Sequence, residues 1–532
     1  MYSPDGQRPE KMHAEPQSKP VKPWYATRRF RVIMIFLAVA IMLFYAEEDW
    51  RGIHAWNRFA REWAAKGEHF DLASRVPPPV PDEQNFALTP VVFSCYGQVL
   101  DRTSHEIRPH NTNLVNRLDM DIYGRWYDMT NECGYWNEQT KTDLKVWQSY
   151  YRNMAAKTNL FPVAPHLQSP AADVLLALSR YDATIGELRQ AAQLPYSRFP
   201  LAYGQENPIT ILLPHLNPLQ HCAQVLQLRA IAELQNGPSE LALDDVKLML
   251  RLADSIRTEP CWISHMVQLA ILKLTFQPVW EGLAAHAWSE AQLVELDAIM
   301  ARQDPLQDYR NTVRGDMAWR DDVIRYFQRH PGYMVSLFFE NDDSLPTNID
   351  LQDIVLGHMI PIGWFDQNRL YSASCTENFF LPAVDIQKHV FIPAFIYQAL
   401  NSESNLCNHL TPKRLIAPQL LTETDRNADK FSFAQSSVDM ARVAIALERY
   451  RLAQGEYPDT LAALSPRYLN PVPHDVIGGQ PLHYSVTGDG RFVLYSVGWN
   501  EKDDGGMIAR YGGENTRQRL EQGDWVWYYP QE

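Results

Sequence analysis

The chain carries no Gly-x-Ser-x-Gly elbow, no Gly-x-x-x-x-Gly-Lys-Ser/Thr phosphate loop and no Gly-x-Gly-x-x-Gly fingerprint. Each of these motifs lifts a nucleophile on a tight turn or curls backbone amides around a phosphate. Their absence removes the commonest sequence signs of a serine hydrolase, a nucleotidase or a dinucleotide-dependent enzyme. Cysteine is scarce as well, with six in 532 residues and no Cys-x-x-Cys pair, so zinc ribbons and thioredoxin-like exchange lack their ligands. Six cysteines fit an oxidising compartment without requiring one. Sequential pairing would join Cys95 to Cys133, Cys222 to Cys261 and Cys375 to Cys407, among several connectivities.

Basic residues are in deficit: 49 Lys and Arg face 63 Asp and Glu, for a net charge of −14. The deficit is uneven. Residues 1–31 hold seven basic against three acidic groups, and the remainder holds 42 against 60. An acidic surface of that kind repels phosphates, so nucleic acid is not an expected partner.

Long hydrophobic runs are absent apart from one. Val32–Ala46 is apolar for 15 residues, flanked by Arg28, Arg29 and Arg31 before it and Glu47, Glu48 and Asp49 after it. With Phe30 and a snorkelling Arg31 it reaches roughly 26 Å as a helix, the lower limit for crossing a bilayer. The positive-inside rule puts residues 1–29, a polar and Pro-rich tail read as disordered, in the cytoplasm. The rest then lies outside the inner membrane, with lipid as the partner of residues 30–46. A cleaved signal peptide fits poorly, because Phe44 occupies the −3 position of a cut after Ala46, and Ala38-Val39-Ala40 lies inside the run.

Downstream, Ile53, Trp56, Phe59, Ala60, Trp63 and Ala64 keep helical spacing as far as Gly67, which predicts a juxtamembrane helix over 47–76. The prolines at 77–79 and 81 predict an extended spacer over 77–94. From Ala171 to Phe327 amphipathic stripes such as Val246-Leu250-Ala253-Ile256 predict a mainly helical, solenoid-like body within 95–400. Residues 228–256 have the size of a helix–turn–helix turning at Gly237-Pro238, without a second copy at a tetratricopeptide period. The apolar stretch Leu381–Leu400 is broken by Pro382 and Pro393 into pieces too short to span.

Candidate chemistry in this body is thin. His105-Glu106 and His110 are spaced one residue too far for a zinc-protease helix, and Pro109 would break it. His215 and His221 flank Asn217-Pro218 and read as capping or surface groups before they read as metal ligands. The adjacent pairs Asp244-Asp245, Asp321-Asp322 and Asp342-Asp343 point different ways on a helix and make no shared-proton dyad. Arg229, Arg251, Arg257, Arg310, Arg314 and Arg320 either line an anionic groove or pair with neighbouring acids. The body therefore reads first as a scaffold for envelope protein partners, with a hydrolase built from scattered carboxylates and histidines as the alternative.

After a polar linker expected at 401–435, the pattern sharpens. Met440, Val443, Ala444, Leu447 and Tyr450 form one stripe, with Ser436 and Ser437 as expected N-caps and Gly455 as the exit. A short helix from Pro458 to Leu464 follows. Leu482, Tyr484 and Val486 then alternate into a turn at Thr487–Gly490, and Phe492–Val497 returns, predicting a hairpin. The expected fold is therefore mainly α, with an N-terminal transmembrane helix and a small α+β domain over 436–532. This layout, with ALERYRLAQGEYPDTLAAL and the Gly-rich loop at Asp503-Asp504-Gly505-Gly506, resembles the globular domain of the major pseudopilin of type II secretion over residues 438–506. In that family the loop holds calcium, so the resemblance implies Asp503 and Asp504 as ligands, with backbone carbonyls completing the shell. It also raises an accessory role in a type II secretion-like system. The pilin processing site is missing, however: RRFRVIMIFLAVA stands in its place, far from the pseudopilin-like unit. The anchor, WNRFAREWAAKGEHFD, PPPVPDEQNFA and the C-terminal unit together resemble a family of large bacterial membrane-anchored proteins, a likeness that implies architecture and no reaction.

Overall fold

The apolar run and the Trp-rich stretch behind it form one unbroken helix, α1 (Arg28–Ala64). The structure, a computed structural model, describes residues 25, 28–96, 98–100, 107–109, 116–118, 120–122, 134–237, 239–339, 349–406, 416–510 and 518–529. The tail expected over 1–29 lies outside the described residues except for Tyr25, Arg28 and Arg29. Cys133, Cys407, Asp342-Asp343, His105, Glu106 and His110 lie outside them too. Among the described residues, α1 is the one helix long and apolar enough to cross a membrane, and the most apolar 18-residue window of α1 is entirely unburied.

Past Ala46 the helix does not stand free as a stalk. It lies along the helix Ile362–Cys375, with Gly52 and Gly363 meeting so closely that a Cβ on either would fall under 3.0 Å from the other helix's backbone. Trp56 is buried with Phe70, Met317 and Ala373, and the Arg369 guanidinium lies 4.1 Å over the Trp56 ring. The proline segment is not a free spacer either. Pro77 accepts from Arg198 at 3.0 Å, Asn85 bonds Arg198 in both directions at 2.9 Å, and Phe86, Ala87, Val91 and Val92 are core residues. Extended backbone suits a surface strap as well as a linker, and four apolar side chains decide for the strap.

The remaining helices are α2 (Pro90–Phe93), α3 (Leu144–Thr158), α4 (Pro170–Leu178), α5 (Asp182–Ala191), α6 (Leu216–Asn236), α7 (Glu240–Ser255), α8 (Trp262–Ala284), α9 (Glu290–Met300), α10 (Pro305–Arg329), α11 (Pro331–Phe339), α12 (Leu351–His358), α13 (Ile362–Cys375), α14 (Pro393–Leu406), α15 (Ala417–Arg426) and α16 (Ala428–Gln454). Their starts follow local chemistry. Ser169-Pro170 and Asp304-Pro305 open α4 and α10 with a side-chain cap ahead of a proline at the first turn, and Ser289 with Gln292 forms a capping box on α9. Helices α6 and α7 form the expected antiparallel pair, and α8 packs on both, closing a three-helix unit instead of the start of a repeat.

Short antiparallel pairs β1 (Gln98–Leu100) with β2 (Ile107–Pro109), and β3 (Val384–Asp385) with β4 (Val390–Phe391), decorate the body. At the C-terminus β5 (His483–Val486) pairs with β6 (Phe492–Ser496) as the expected hairpin, β7 (Ile508–Arg510) pairs with β8 (Gln518–Gly523), and β9 (Trp525–Tyr528) adds to β6.

The linker expected at 401–435 is largely helix. α14, α15 and the first two turns of α16 occupy its described part, so Ser436 and Ser437 are not caps. Both lie buried inside α16, where the Ser437 hydroxyl donates to the Phe433 carbonyl at 2.7 Å. Helix α16 is buried on nearly every side from Ala428 to Glu448, and its core is continuous with that of α8, α9, α10 and the C-terminal strands. Gly455 ends it as expected, at φ +88°.

Candidate binding cleft

The Asp503–Gly506 loop is held by protein donors. Asp503 accepts the Gly505 amide at 2.9 Å and the Tyr495 hydroxyl at 3.1 Å. The amide bond, aided by Tyr495 and His483, holds its carboxyl below the usual range against slight desolvation. Asp504 accepts from Asn500 Nδ2 at 2.9 Å. The loop's organiser is Asp524, fully buried, which receives the Asp504 amide at 3.2 Å and the Gly506 amide at 2.6 Å. Asp503 and Asp504 are thus engaged by separate N–H and O–H donors. Among the described residues no group of three or more His, Cys, Asp or Glu could hold a metal. Asp524 was invisible in the sequence because it stands 20 residues away on the far side of β8.

The charged residues of the helical body pair off in the same way. Arg229 reaches Asp182 at 2.6 Å and Asp245 at 3.1 Å, Arg257 reaches Asp254 at 3.1 Å and Asp308 at 3.2 Å, and Arg314 reaches Glu68 at 2.6 Å. Arg320 bonds Asp316 while buried, and Arg369 and Arg325 share Asp321 at 2.7 and 3.0 Å. Arg251 instead caps the carbonyls of Ala192 and Leu194. Arg229, Arg257, Arg314 and Arg320 thus brace helices, whereas Arg251 lines a depression of mixed charge with Lys247, Asp254 and Glu295 and the Arg310 Nε is buried without a hydrogen-bond partner among the described residues.

His215 is fully buried, its Nε2 2.9 Å from Glu259 Oε1, with the Phe199 and Tyr96 rings stacked at 4.0 and 6.3 Å. His221 lies further along α6 and is part-exposed; the structure gives the two imidazoles no common ligand role. Cys222 donates its thiol to the Leu118 carbonyl at 3.3 Å, and among the described residues Cys95, Cys222, Cys261 and Cys375 are in no disulfide. A Cys222–Cys261 bridge is thus excluded, because Cys222 faces the core as a small apolar group.

Sequence motifs do not mark the cleft that the fold assembles. A cleft of about 850 Å³ runs between α8 and α16, closed at one end by residues 135–138 and by β8. Its floor is aromatic: Trp262, Phe276 and Phe433 line it, and behind them the buried Trp136 meets Phe276, Phe433 and Trp527 at centroid distances of 5.5, 5.9 and 5.2 Å. Met266, Ala270 and the 56%-exposed Ile263 form the α8 wall, and Ala434 and Ser437 the α16 wall. Two exposed cations flank it, Lys273 from α8, 5.6 Å from the Tyr135 ring, and Lys430 from α16. Its one carboxylate, Glu138, accepts the Gln518 amide at 3.4 Å, and Asn137 Nδ2 bonds Gln518 Oε1 at 2.8 Å. Apolar floor, polar ends and cationic rim favour an amphipathic ligand carrying negative charge.

A second depression of about 500 Å³ is lined by Lys388, His474 and Glu501 among others. Beside it His389, held at φ 53°, places Nε2 3.2 Å from Asp439 Oδ2 on α16. That hydrogen bond raises the imidazole above its usual range despite partial burial.

Compared with protein-family models, with curated proteins and with solved structures, the chain matches none.

Proposed function

We propose that this is a single-pass, envelope-facing binding protein whose cleft between α8 and α16 receives an acidic amphipathic segment of a partner protein. The cleft carries the reading, because an aromatic floor between two lysines is the complement of an amphipathic helix with acidic residues on its flanks. The anchor gives the address: an unburied apolar helix continues rigidly into the body, with its basic flank toward the cytoplasm. The pseudopilin-like order of long helix, glycine turn and antiparallel strands forms the other wall of the cleft, which supports treating the C-terminal unit as part of the docking surface.

A photo-crosslinking residue placed at Ile263 in cells should give one discrete adduct, which the Lys273→Glu/Lys430→Glu double variant abolishes. An adduct indifferent to charge reversal, or none at all, refutes the reading. Protease shaving of spheroplasts tests the address, since a protected C-terminus would reverse the topology. One observation favours a second reading, a hydrolase using the strained His389–Asp439 pair as its base. Turnover of a substrate lost in His389→Ala but kept in the lysine double variant would select it.

A further inference from the structure

Helix α12 is built inside out. Asp353 and Gly357 face the body, and Gly357 sits so near Pro331 at the start of α11 that a Cβ there would stand closer than 3.0 Å to its backbone. The outward residues are apolar. Leu351, Val355 and Leu356 are 76, 54 and 44% exposed, and the stripe continues past the helix end through Met359 and Ile362 at 62 and 54%. Within α12, Leu351 and Val355 are four residues apart with Leu356 beside them, opposite the inward Asp353 and Gly357. The close contact with α11 fixes the segment in place, so the apolar stripe is a built surface.

What covers it follows from the path of α1. The Tyr45 hydroxyl donates to the Met359 carbonyl, and the Phe44 ring meets Trp364 edge-on at 6.5 Å between centroids. The Gly363 amide donates to Asp49 at 2.8 Å and Trp364 Nε1 to Glu48 at 3.0 Å. The Met359–Ile362 end of the stripe is therefore level with residues 44–49, where the apolar run stops at Ala46 and three consecutive acids begin, and α12 leads away from it. On a helix that crosses a bilayer, that height is the boundary between headgroups and acyl chains, where Tyr and Trp also settle.

We propose that Leu351–Ile362 is an interfacial membrane-binding element, whose apolar stripe sinks into the same leaflet from which α1 emerges. It rests on the anchor reading above and goes beyond it: the body is seated on the bilayer instead of tethered at a distance. The two attachments, one spanning and one lying flat, would fix the orientation of the body against rotation about α1.

The test uses the full-length chain in phosphatidylethanolamine–phosphatidylglycerol vesicles, with an environment-sensitive fluorophore on Leu356→Cys and the signal of the unaltered labelled chain subtracted. An interfacial segment buries its apolar face roughly 5–10 Å below the headgroups, so lipid bearing a nitroxide high on the acyl chain should quench the probe about twofold. The same probe on Leu167→Cys, a residue 73% exposed just ahead of α4, should be unaffected. No quenching at 356, equal quenching at both positions, or probe-dependent dimers without quenching would overturn the proposal. Alkaline carbonate separates the two levels. A chain that washes off the vesicles removes the anchor reading, and a chain that resists washing while the 356 probe stays unquenched removes this inference alone.

Discussion

Glu448, near the end of the buried part of α16, is the sharpest point at which to test the packing described above. Its side chain is 2% exposed. It accepts from Arg451 Nε at 2.9 Å and Nη2 at 2.7 Å, from the Tyr457 hydroxyl at 3.0 Å, and lies 2.9 Å from His286 Nδ1. One carboxylate thus ties α16 to the turn after α8 and to the Tyr-Pro segment after Gly455. Burial alone would raise its proton affinity, but the hydrogen bonds from Arg451 and His286 outweigh it and bring the carboxyl from 4.5 down to about 2. At about 1.4 kcal/mol for each tenfold change, that gap is worth about 3 kcal/mol of folding free energy. A depressed carboxylate contributes its stability fully above 4.5 and loses it as pH falls from there toward 2. Glu448→Gln keeps the shape and removes the charge, so at pH 7 it should cost about 2–3 kcal/mol, a fall in Tm of roughly 2–3 °C for a chain this long. Scanning calorimetry of both proteins across pH should show the gap narrowing steadily below pH 4.5. A variant that melts with the parent at pH 7, or a gap that stays constant through the acid range, refutes the assignment of Glu448 as the hub.

Gly52→Val drives a side chain into the Gly363 backbone; it should loosen the α1–α13 junction by about 1–3 kcal/mol and open residues 47–70 to limited proteolysis. Glu377, 6% exposed, is raised from 4.5 to about 7 by burial first and by Glu68 second, with Arg314 and Arg75 opposing. Its contribution is therefore present below 4.5 and lost as pH rises to 7, so Glu377→Gln should stabilise the protein above neutrality by about 1–3 kcal/mol, read from Tm at pH 8.5 against pH 5. Millimolar calcium or its chelation should leave Tm unchanged, because among the described residues Asp503 and Asp504 belong to no group of three or more acidic, His or Cys side chains that could hold the ion; a rise of several degrees with calcium would contradict that.

Features that depend on local chemistry were readable in advance. The apolar run of α1 needs only composition, the Gly455 exit needs only a left-handed residue, and the hairpin turn at Thr487–Gly490 closes with Thr487 donating to the Arg491 carbonyl at 2.8 Å. Features assembled from distant segments were not. The cleft gathers residues from 135–138, 262–276, 427–437 and 518–520, and no window of sequence holds two of those stretches together except through the fold. The apolar stripe on α12 escaped for a different reason: apolar periodicity normally marks the buried side, and here it marks the outer one.

The beginning of α16 shows how a strong local pattern can misplace a boundary. Asp429, Ser432, Gln435, Ser436, Ser437 and Asp439 interrupt the apolar stripe, and in an isolated domain such a polar cluster would be solvated and would end the helix. In this protein those groups are buried because α8, α9 and α10 surround them, and several of them bond locally: the Ser437 hydroxyl donates to Phe433, the Ser432 hydroxyl to Asp429, and Gln435 Nε2 to Asp439 at 3.3 Å. A helix buried on all sides has no single apolar face to announce it, so its polar half read as a linker and its apolar half as a separate domain. The physical consequence is that the C-terminal unit cannot leave the body without exposing Val438, Ala441, Ile445 and the aromatic cluster around Trp136. It is one wall of the cleft by construction, and a partner that binds there bridges both halves of the chain.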